Sequence, residues 1–241
     1  AFALCRMKNL CKKKNIKIFA DVTEWYSTKG TNIIFKIIKG LDSFFRMRVL
    51  QKQMDGIIVI SRYLENYYKN CKNVVRIPPL VDLNEEKWNS QVPERNDNKI
   101  RFVYSGNPGK NKDKINLLIE AIGKLNSFDN FILNVVGIEK KQYLTFYPHH
   151  KEIIEILEEK VFFHGRLTHL QSLELLRNSD FSIFFRDDNI MTKAGFPTKF
   201  VESISAGIPV ITNKSSDLDE YLIEGRNGFI VEDNAVEAIK N

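Results

Sequence analysis

The sequence has few cysteines, and no two of them are spaced like metal ligands. Cys5, Cys11 and Cys71 are the only cysteines among 241 residues, and they form no CxxC motif. This excludes a disulfide-rich scaffold and a cysteine zinc site, and the odd number favours a reducing compartment. The adjacent histidines His149 and His150 match no metal-ligand motif with their neighbours, so we expect a solvated loop pair there.

The chain also lacks long apolar runs. No stretch of 18 apolar residues occurs, and the sequence starts at Ala1 without a charged and then apolar leader. We therefore expect no membrane-spanning helix, no signal peptide and a cytoplasmic location. The hydrophobic content of 43% is too high for a disordered chain.

The net charge of +6 comes from 36 basic and 30 acidic residues, and the basic residues are dispersed. This distribution excludes a nucleic-acid-binding stripe and is typical of a solvated surface. An anionic substrate or an anionic membrane stays open as an alternative. The basic segments 7–14 and 36–48 would make the peripheral contact, at the inner face of the cell membrane.

Predicted strands and helices alternate along the chain, which indicates parallel α/β layers. Residues 84–99 are polar and contain Pro93, so they mark the domain boundary. We predict an incomplete Rossmann-like domain at 1–95 and a complete doubly wound domain at 96–241. The predicted strands are 16–22, 55–61, 73–78, 100–106, 131–137, 161–165, 181–186, 208–212 and 228–233, and the main predicted helices are 4–14, 31–53, 62–70, 115–125, 151–160, 169–179 and 197–206.

The stretch KAGFPTKFVESISAGIPVITN, residues 193–213, contains a helix with recognisable ends. Pro197 suits the first helical position, and Gly207 suits the position just after the helix. The free N–H groups of Thr198 and Lys199 would then form an anion site at the helix N-terminus. Gly195 would let the backbone approach a ligand closely.

Glu202 shares a helical face with Thr198 and Lys199 because it follows them by four and three residues. A carboxylate there would repel phosphate but could accept hydrogen bonds from both hydroxyls of a ribose. The spacing therefore fits a nucleoside diphosphate. A surface ion pair between Lys199 and Glu202 is the alternative, and spacing alone does not separate the two.

A second candidate loop, YSGNPGKNKDK at residues 104–114, follows a predicted strand and precedes a predicted helix. Its glycines and the lysines Lys110, Lys112 and Lys114 could hold a diphosphate. It matches neither the Walker motif nor GxGxxG, and a solvated lysine turn is the alternative.

Together these motifs resemble the family 4 retaining glycosyltransferases of the GT-B fold, especially the branch that makes bacterial capsular and other surface polysaccharides. The resemblance rests on AGFPTKFVES with ISAGIPVIT, SGNPGKNKDKINLLIEAI, VFFHGRL, NSDFSIFFR, EGRNGFIVE, and DGIIVISRYLENYYK with NVVRIPPLVD. It covers most of the chain and lacks only the start of the first domain. It implies two Rossmann-like domains, a nucleotide-sugar donor such as a UDP- or GDP-sugar, a glycan or lipid-linked acceptor, no cofactor and no metal.

The resemblance also implies roles for individual residues. Lys110 or Lys112 would neutralise the leaving diphosphate, and Glu202 would hold the ribose, so these three are the candidate catalytic residues. Asp21 and Glu24 would face the acceptor, although capping of a loop explains them equally well. The candidate donor-binding residues are Ser105, Gly106, Asn107, His164, Gly165, Arg166, Arg186, Gly195, Phe196, Pro197, Thr198, Lys199 and Glu202.

The chain departs from the family pattern at two positions. Ala194 stands where the family has a glutamate that faces the donor sugar, and Asn107 stands near the usual arginine of the diphosphate loop. Lys199 or Arg186 is our hypothesis for the missing charge. A nucleotide-sugar epimerase of the same fold and a non-catalytic nucleotide-sugar-binding module remain alternatives to a transferase.

Overall fold

The computed structural model describes residues 1–26, 32–88, 95–108, 113–125 and 128–231. The candidate catalytic lysines Lys110 and Lys112 lie outside these ranges. The chain forms two compact units, the first of residues 1–80 with 189–196 and the second of residues 81–188 with 197–241. The contacts thus divide the chain at residue 80, whereas the polar segment in the sequence places the boundary at 95.

The first unit contains a three-stranded parallel sheet in the order β1-β2-β3. The strands are β1 (Phe19–Val22), β2 (Gly56–Val59) and β3 (Val74–Arg76). The helices are α1 (Phe2–Lys13), α2 (Ile33–Phe45), α3 (Arg62–Tyr68) and the short α8 (Ile190–Ala194). A π turn at Arg46–Leu50 and a 3-10 turn at Gln51–Gln53 follow α2.

The core of the first unit forms around β2, the central parallel strand, in which Ile57 and Val59 are buried and Ile58 is partly buried. Ile57 and Val59 pack there with Leu64 and Tyr68 of α3. The Oγ of Ser61 accepts a hydrogen bond from the backbone N–H of Leu64, so Ser61 caps the start of α3.

The second unit contains six parallel strands in the order β6-β5-β4-β7-β8-β9. In chain order they are β4 (Ile100–Ser105), β5 (Phe131–Val136), β6 (Val161–Gly165), β7 (Phe181–Phe184), β8 (Val210–Asn213) and β9 (Gly228–Val231). The helices are α4 (Ile115–Lys124), α5 (Lys140–Phe146), α6 (Lys151–Ile156), α7 (His169–Arg177) and α9 (Thr198–Ser205). The predicted α/β class and the parallel sheets are confirmed.

This strand order places a reversal between β4 and β7. From β4 the sheet grows through β5 and β6 on one side, and from β7 through β8 and β9 on the other. Ligands of open parallel sheets bind at such a reversal, beyond the carboxyl ends of the strands. A ligand is therefore expected near the loops that follow Ser105 and Phe184.

Some predicted elements differ from the observed ones. The sequence pattern did not predict α5 (Lys140–Phe146), and several strands are shorter than their apolar runs. Pro197 is the residue before the first turn of α9 and not its first helical residue. Within the described ranges, no helix has the length and apolar character needed to cross a bilayer.

Candidate functional site

A cavity of about 420 Å³ lies in the second unit at the carboxyl ends of β4 and β5. Its volume is within the range typical of small-molecule sites. Its wall contains turns with glycine residues as well as acidic and basic side chains. The residues that line it are Ser105, Gly106, Asn107, Asp113, Val136, Gly137, Arg166, Leu167, His169, Ser172, Thr198, Lys199 and Glu202.

Helix α9 presents its N-terminus to this cavity, since Thr198 and Lys199 in its first turn are lining residues. Pro197, with φ −74° and ψ 106°, precedes the helix. Gly207 follows the helix with a φ of +75°, the left-handed conformation predicted for it. The helix dipole therefore adds partial positive charge at the cavity wall.

Two of the residues that line the cavity, Gly106 after β4 and Gly137 after β5, are glycines with a positive φ. Gly137, which follows β5, has a φ of +103°, and a Cβ on it would lie 2.2 Å from the carbonyl oxygen of Gly106. Neither the conformation nor the space permits a side chain there. The backbones that follow β4 and β5 can approach closely for this reason.

Lys199 joins a buried polar cluster beside the cavity. Its Nζ lies 2.5 Å from Oδ2 of Asp113, and the hydroxyl of Tyr104 donates to the same oxygen at 2.6 Å. The Nε of Arg186 lies 3.8 Å from Oδ1 of Asp113. The Asp113 side chain is only 1% exposed and that of Arg186 is 7% exposed. Two cations and one carboxylate leave the cluster with a net positive charge.

Burial and the neighbouring charges set the protonation of this cluster. Burial is the main cause that raises the pKa of Tyr104 well above its usual value, and the negative charge of Asp113 adds to it. The hydroxyl therefore stays protonated and donates a hydrogen bond to the carboxylate. Burial lowers the pKa of Arg186, and Asp113 opposes this shift. Arg186 is buried and is not among the residues that line the cavity, so its charge acts on the site through Asp113.

Glu202 lies one turn into α9 and contacts a histidine from a neighbouring helix. Its Oε1 is 3.4 Å from Nε2 of His169, the first residue of α7. The Glu202 side chain is 35% exposed, so a ligand in the cavity can reach the carboxylate. Thr168 and Gln171 form a complete capping box that starts α7 and thereby positions His169.

Asp113 and His169 line the cavity but are not among the site residues predicted from the sequence. A signal for His169 was present, because Thr168-x-x-Gln171 is a helix-start motif that follows a predicted strand. Asp113 gave no such signal, since it stands among lysines in a loop and its partner Lys199 is 86 residues away.

The structure brings seven of the predicted donor-binding residues to the cavity wall: Ser105, Gly106, Asn107, Arg166, Thr198, Lys199 and Glu202. His164 and Gly165 end β6 outside the lining set, and His164 Nε2 lies 2.8 Å from Asn134 Oδ1. Gly195 and Phe196 belong to the first unit.

The acceptor-side candidates Asp21 and Glu24 are exposed residues of the first unit, at the end of β1 and in the loop after it. Ala194 is also in the first unit. It is fully buried among apolar side chains, and its carbonyl oxygen accepts a hydrogen bond from Ser61 Oγ at 2.7 Å. A glutamate would not fit this core position without a charged partner.

The family model described as "Glycosyl transferases group 1" matches residues 85–241, more than half of the chain. The chain belongs to this glycosyltransferase family. The matched region coincides almost entirely with the second unit, which contains the cavity.

The sequence is 22% identical over 205 residues to an uncharacterized glycosyltransferase, MJ1069, of Methanocaldococcus jannaschii. That match includes 80% of this chain but 49% of the relative, so the chain spans about half the length of this curated glycosyltransferase.

Two solved structures share the fold of this chain. Anabaena HepE, solved in complex with UDP and glucose, has a TM-score of 0.66 and 14% sequence identity to this chain. The match covers 99% of this chain and 64% of the HepE chain. A mutant of S. aureus TarM, solved with Fondaparinux, alpha-GlcNAc-glycerol and UDP, has a TM-score of 0.65 and 14% sequence identity to this chain. The match covers 94% of this chain and 43% of the TarM chain. The chain thus has the α/β fold of GT-B glycosyltransferases.

Proposed function

We propose that this chain is the donor-binding part, with a portion of the acceptor domain, of a glycosyltransferase that uses a nucleoside diphosphate sugar. The observation that carries the proposal is the joint placement of Lys199, the α9 N-terminus and Glu202 at one cavity wall. A diphosphate needs fixed positive charge, and a ribose needs an acceptor of two hydrogen bonds. One turn of helix supplies both.

The chemistry that this wall supports is stabilisation of the departing nucleoside diphosphate. Lys199 supplies a cation, and the N–H groups of the first turn of α9 supply oriented dipoles. Asp113 fixes the position of Lys199, while Arg186 keeps the cluster net positive. Lys110 and Lys112 would add charge from the loop after β4, as the family resemblance implies.

We further propose that the transfer retains the anomeric configuration, needs no metal and serves surface polysaccharide synthesis in the bacterial cytoplasm. The donor would be a UDP- or GDP-sugar, and the acceptor a glycan or lipid-linked glycan. The support is the family motif around Glu202 and the UDP complexes of the structural neighbours HepE and TarM. The buried Ala194 leaves no carboxylate at that position for the sugar.

Titration calorimetry with UDP and GDP tests the nucleotide part of the proposal on this chain. We expect one of the two to bind, and the 2′-deoxy form of the same nucleotide to bind about tenfold more weakly, since a hydrogen bond to a charged group is worth about 1.5–3 kcal/mol. In Glu202→Ala this difference between ribose and deoxyribose should disappear. Glu174→Ala, on the neighbouring helix α7 and outside the lining set, is the matched control.

Binding of neither nucleotide would refute the donor site, and an unchanged preference for ribose in Glu202→Ala would refute the role of the carboxylate. Incubation of the protein with donor and acceptor separates the alternatives. A transferase forms a glycosidic product, an epimerase returns the donor with inverted configuration, and a binding module does neither.

We also propose that α2 contacts an anionic membrane, which would bring the first unit to a lipid-linked acceptor. Eight apolar side chains of this helix are each at least 48% exposed: Ile33, Ile34, Phe35, Ile37, Ile38, Leu41, Phe44 and Phe45. Lys36 and Arg48 lie in and just after the helix. Apolar surface bordered by cations favours an interface with anionic lipid headgroups.

A further inference from the structure

Two histidines and a glutamate converge in the second unit, away from the lining of the nucleotide cavity. Glu120 comes from the middle of α4, and His149 and His150 come from the 3-10 turn Pro148–His150. One potential ligand atom from each of the three lies within 4.8 Å of the other two. The adjacent histidines therefore do not form the solvated pair that the sequence predicts, because helix α4 adds a third ligand type beside them.

His150 is already oriented for coordination. Its ring is buried, its Nε2 lies 3.2 Å from Oε1 of Glu120, and its Nδ1 lies 2.6 Å from the hydroxyl of Tyr143. Tyr147 stacks on the same ring, with centroids 5.7 Å apart. Metal-binding histidines typically hydrogen-bond through the second ring nitrogen, which fixes the ring and leaves the other nitrogen for the ion. Tyr143 provides this contact.

The three ligand atoms lie farther apart than the ligands of a bound Zn²⁺ ion, and small movements of His149 and Glu120 can bring them to that spacing. Ligand atoms about 2.0–2.1 Å from a tetrahedral ion lie about 3.3–3.5 Å from one another, so the observed separations exceed that spacing by at most about 1.5 Å. The His149 ring is exposed and lies edge-on to His150, with centroids 4.3 Å apart. Rotation of one exposed side chain is a small change compared with refolding of a turn.

We propose that Glu120, His149 and His150 bind a Zn²⁺ ion, with water as the fourth ligand. Two imidazoles and one carboxylate are a ligand set that Zn²⁺ accepts, with one position left open. The Glu120 side chain is 31% exposed and lines a cavity of about 310 Å³, so water reaches the site. Lys124 also lines this cavity.

The ion would link α4 to the turn before α6. Helix α4 begins directly after Asp113 and Lys114, and Asp113 lines the nucleotide cavity. Zn²⁺ would therefore stabilise the second unit without contacting the donor. The site is separate from the donor cavity, and the proposed transfer does not depend on it.

Chelator-treated protein titrated with ZnCl2 tests the site, with stoichiometry from calorimetry and thermal unfolding as a second measurement. We expect one equivalent to bind saturably and the melting temperature to rise. Glu120→Gln and His149→Ala should each weaken binding more than about tenfold, as ligand loss must exceed the effect of losing a supporting residue. Glu152→Gln, on the adjacent helix α6 and outside the cluster, should leave binding unchanged.

Substitution with Co²⁺ gives an independent readout, because four-coordinate Co²⁺ absorbs strongly in the visible range and six-coordinate Co²⁺ only weakly. The proposal is overturned if no saturable equivalent binds, or if His149→Ala binds as tightly as the wild type. His149 is exposed, so its removal does not threaten folding. Nucleotide binding by the chelated protein should be unaffected, so failure of this site and failure of the donor site are separable.

Discussion

At the residue scale, the candidate site depends on how one lysine is held. The neighbours that hold Lys199 include the carboxylate of Asp113 and the ring of Tyr104, whose centroid is 4.2 Å from Nζ. A cation held by a buried carboxylate loses little conformational entropy when an anion binds. Lys199 is therefore better prepared to bind a diphosphate than a lysine on the exposed surface.

We predict that Lys199→Met lowers the affinity for the nucleoside diphosphate by roughly tenfold to a hundredfold, the range for loss of a charge-assisted hydrogen bond. Lys214→Met is the matched control, since that lysine is 67% exposed and pairs with Asp219. Calorimetry measures both, and circular dichroism checks that the variant folds with Asp113 deprived of one partner. Equal affinities of Lys199→Met and wild type would contradict the prediction.

At the scale of elements, helices α9 and α2 differ in whether they bury their apolar side chains. Helix α9 buries Phe200 and Ser203 against the second unit and presents its N-terminus to the cavity. Helix α2 has a composition and length that suit a buried helix, yet Ser43 is its only buried residue within the described part of the chain. An apolar helix face that stays exposed is favoured at a lipid surface or another interface.

For α2 we predict that the chain sediments with vesicles of phosphatidylglycerol and phosphatidylcholine but not with phosphatidylcholine alone. The double variant Ile34→Glu/Ile38→Glu should reduce binding more than about tenfold, because burial of each isoleucine is worth about 1.5–3 kcal/mol. Ile223→Glu is the control in the second unit, where Ile223 is 52% exposed. Equal loss in the control, or no sedimentation of the wild type, would count against membrane contact.

At the scale of the whole molecule, a charged clamp ties the polar segment after the first unit to the second sheet. Asp180 accepts hydrogen bonds from Arg95 at 2.7 Å and from the backbone N–H of Arg101, at the start of β4, at 2.7 Å. Partial burial raises the pKa of Asp180, but the hydrogen bonds from Arg95 and Arg101 outweigh it, and the net shift is downward.

A lowered pKa in the folded state means that Asp180 stabilises the fold above the unfolded pKa of about 3.9 and loses this effect as the pH falls through the folded value. We predict that Asp180→Asn lowers the free energy of unfolding by about 1 kcal/mol or less at pH 7. The difference from wild type should shrink at pH 3, measured by denaturant unfolding at both pH values. Asp129→Asn, 93% exposed, is the control, and a difference that persists unchanged at pH 3 would refute the role of the carboxylate.

The sequence alone determined the features that depend on neighbours within one or two turns. The alternation of strands and helices, the cap at Ser61, the glycine after α9 and the shared face of Thr198, Lys199 and Glu202 were all predictable, because helix and strand periods and caps are local. The resemblance to glycosyltransferases could be drawn from such local motifs as well.

Only the tertiary structure decided which distant residues meet. The pairing of Lys199 with Asp113 spans 86 residues, and His150 also meets Glu120 of a different helix. Both depend on the strand order that places β7 beside β4 and on the packing of α4, and these follow from the burial of whole sheet faces. Local sequence cannot encode such contacts one pair at a time. Several residues that line the cavity could therefore be grouped from the sequence, whereas the buried carboxylate of Asp113 could not.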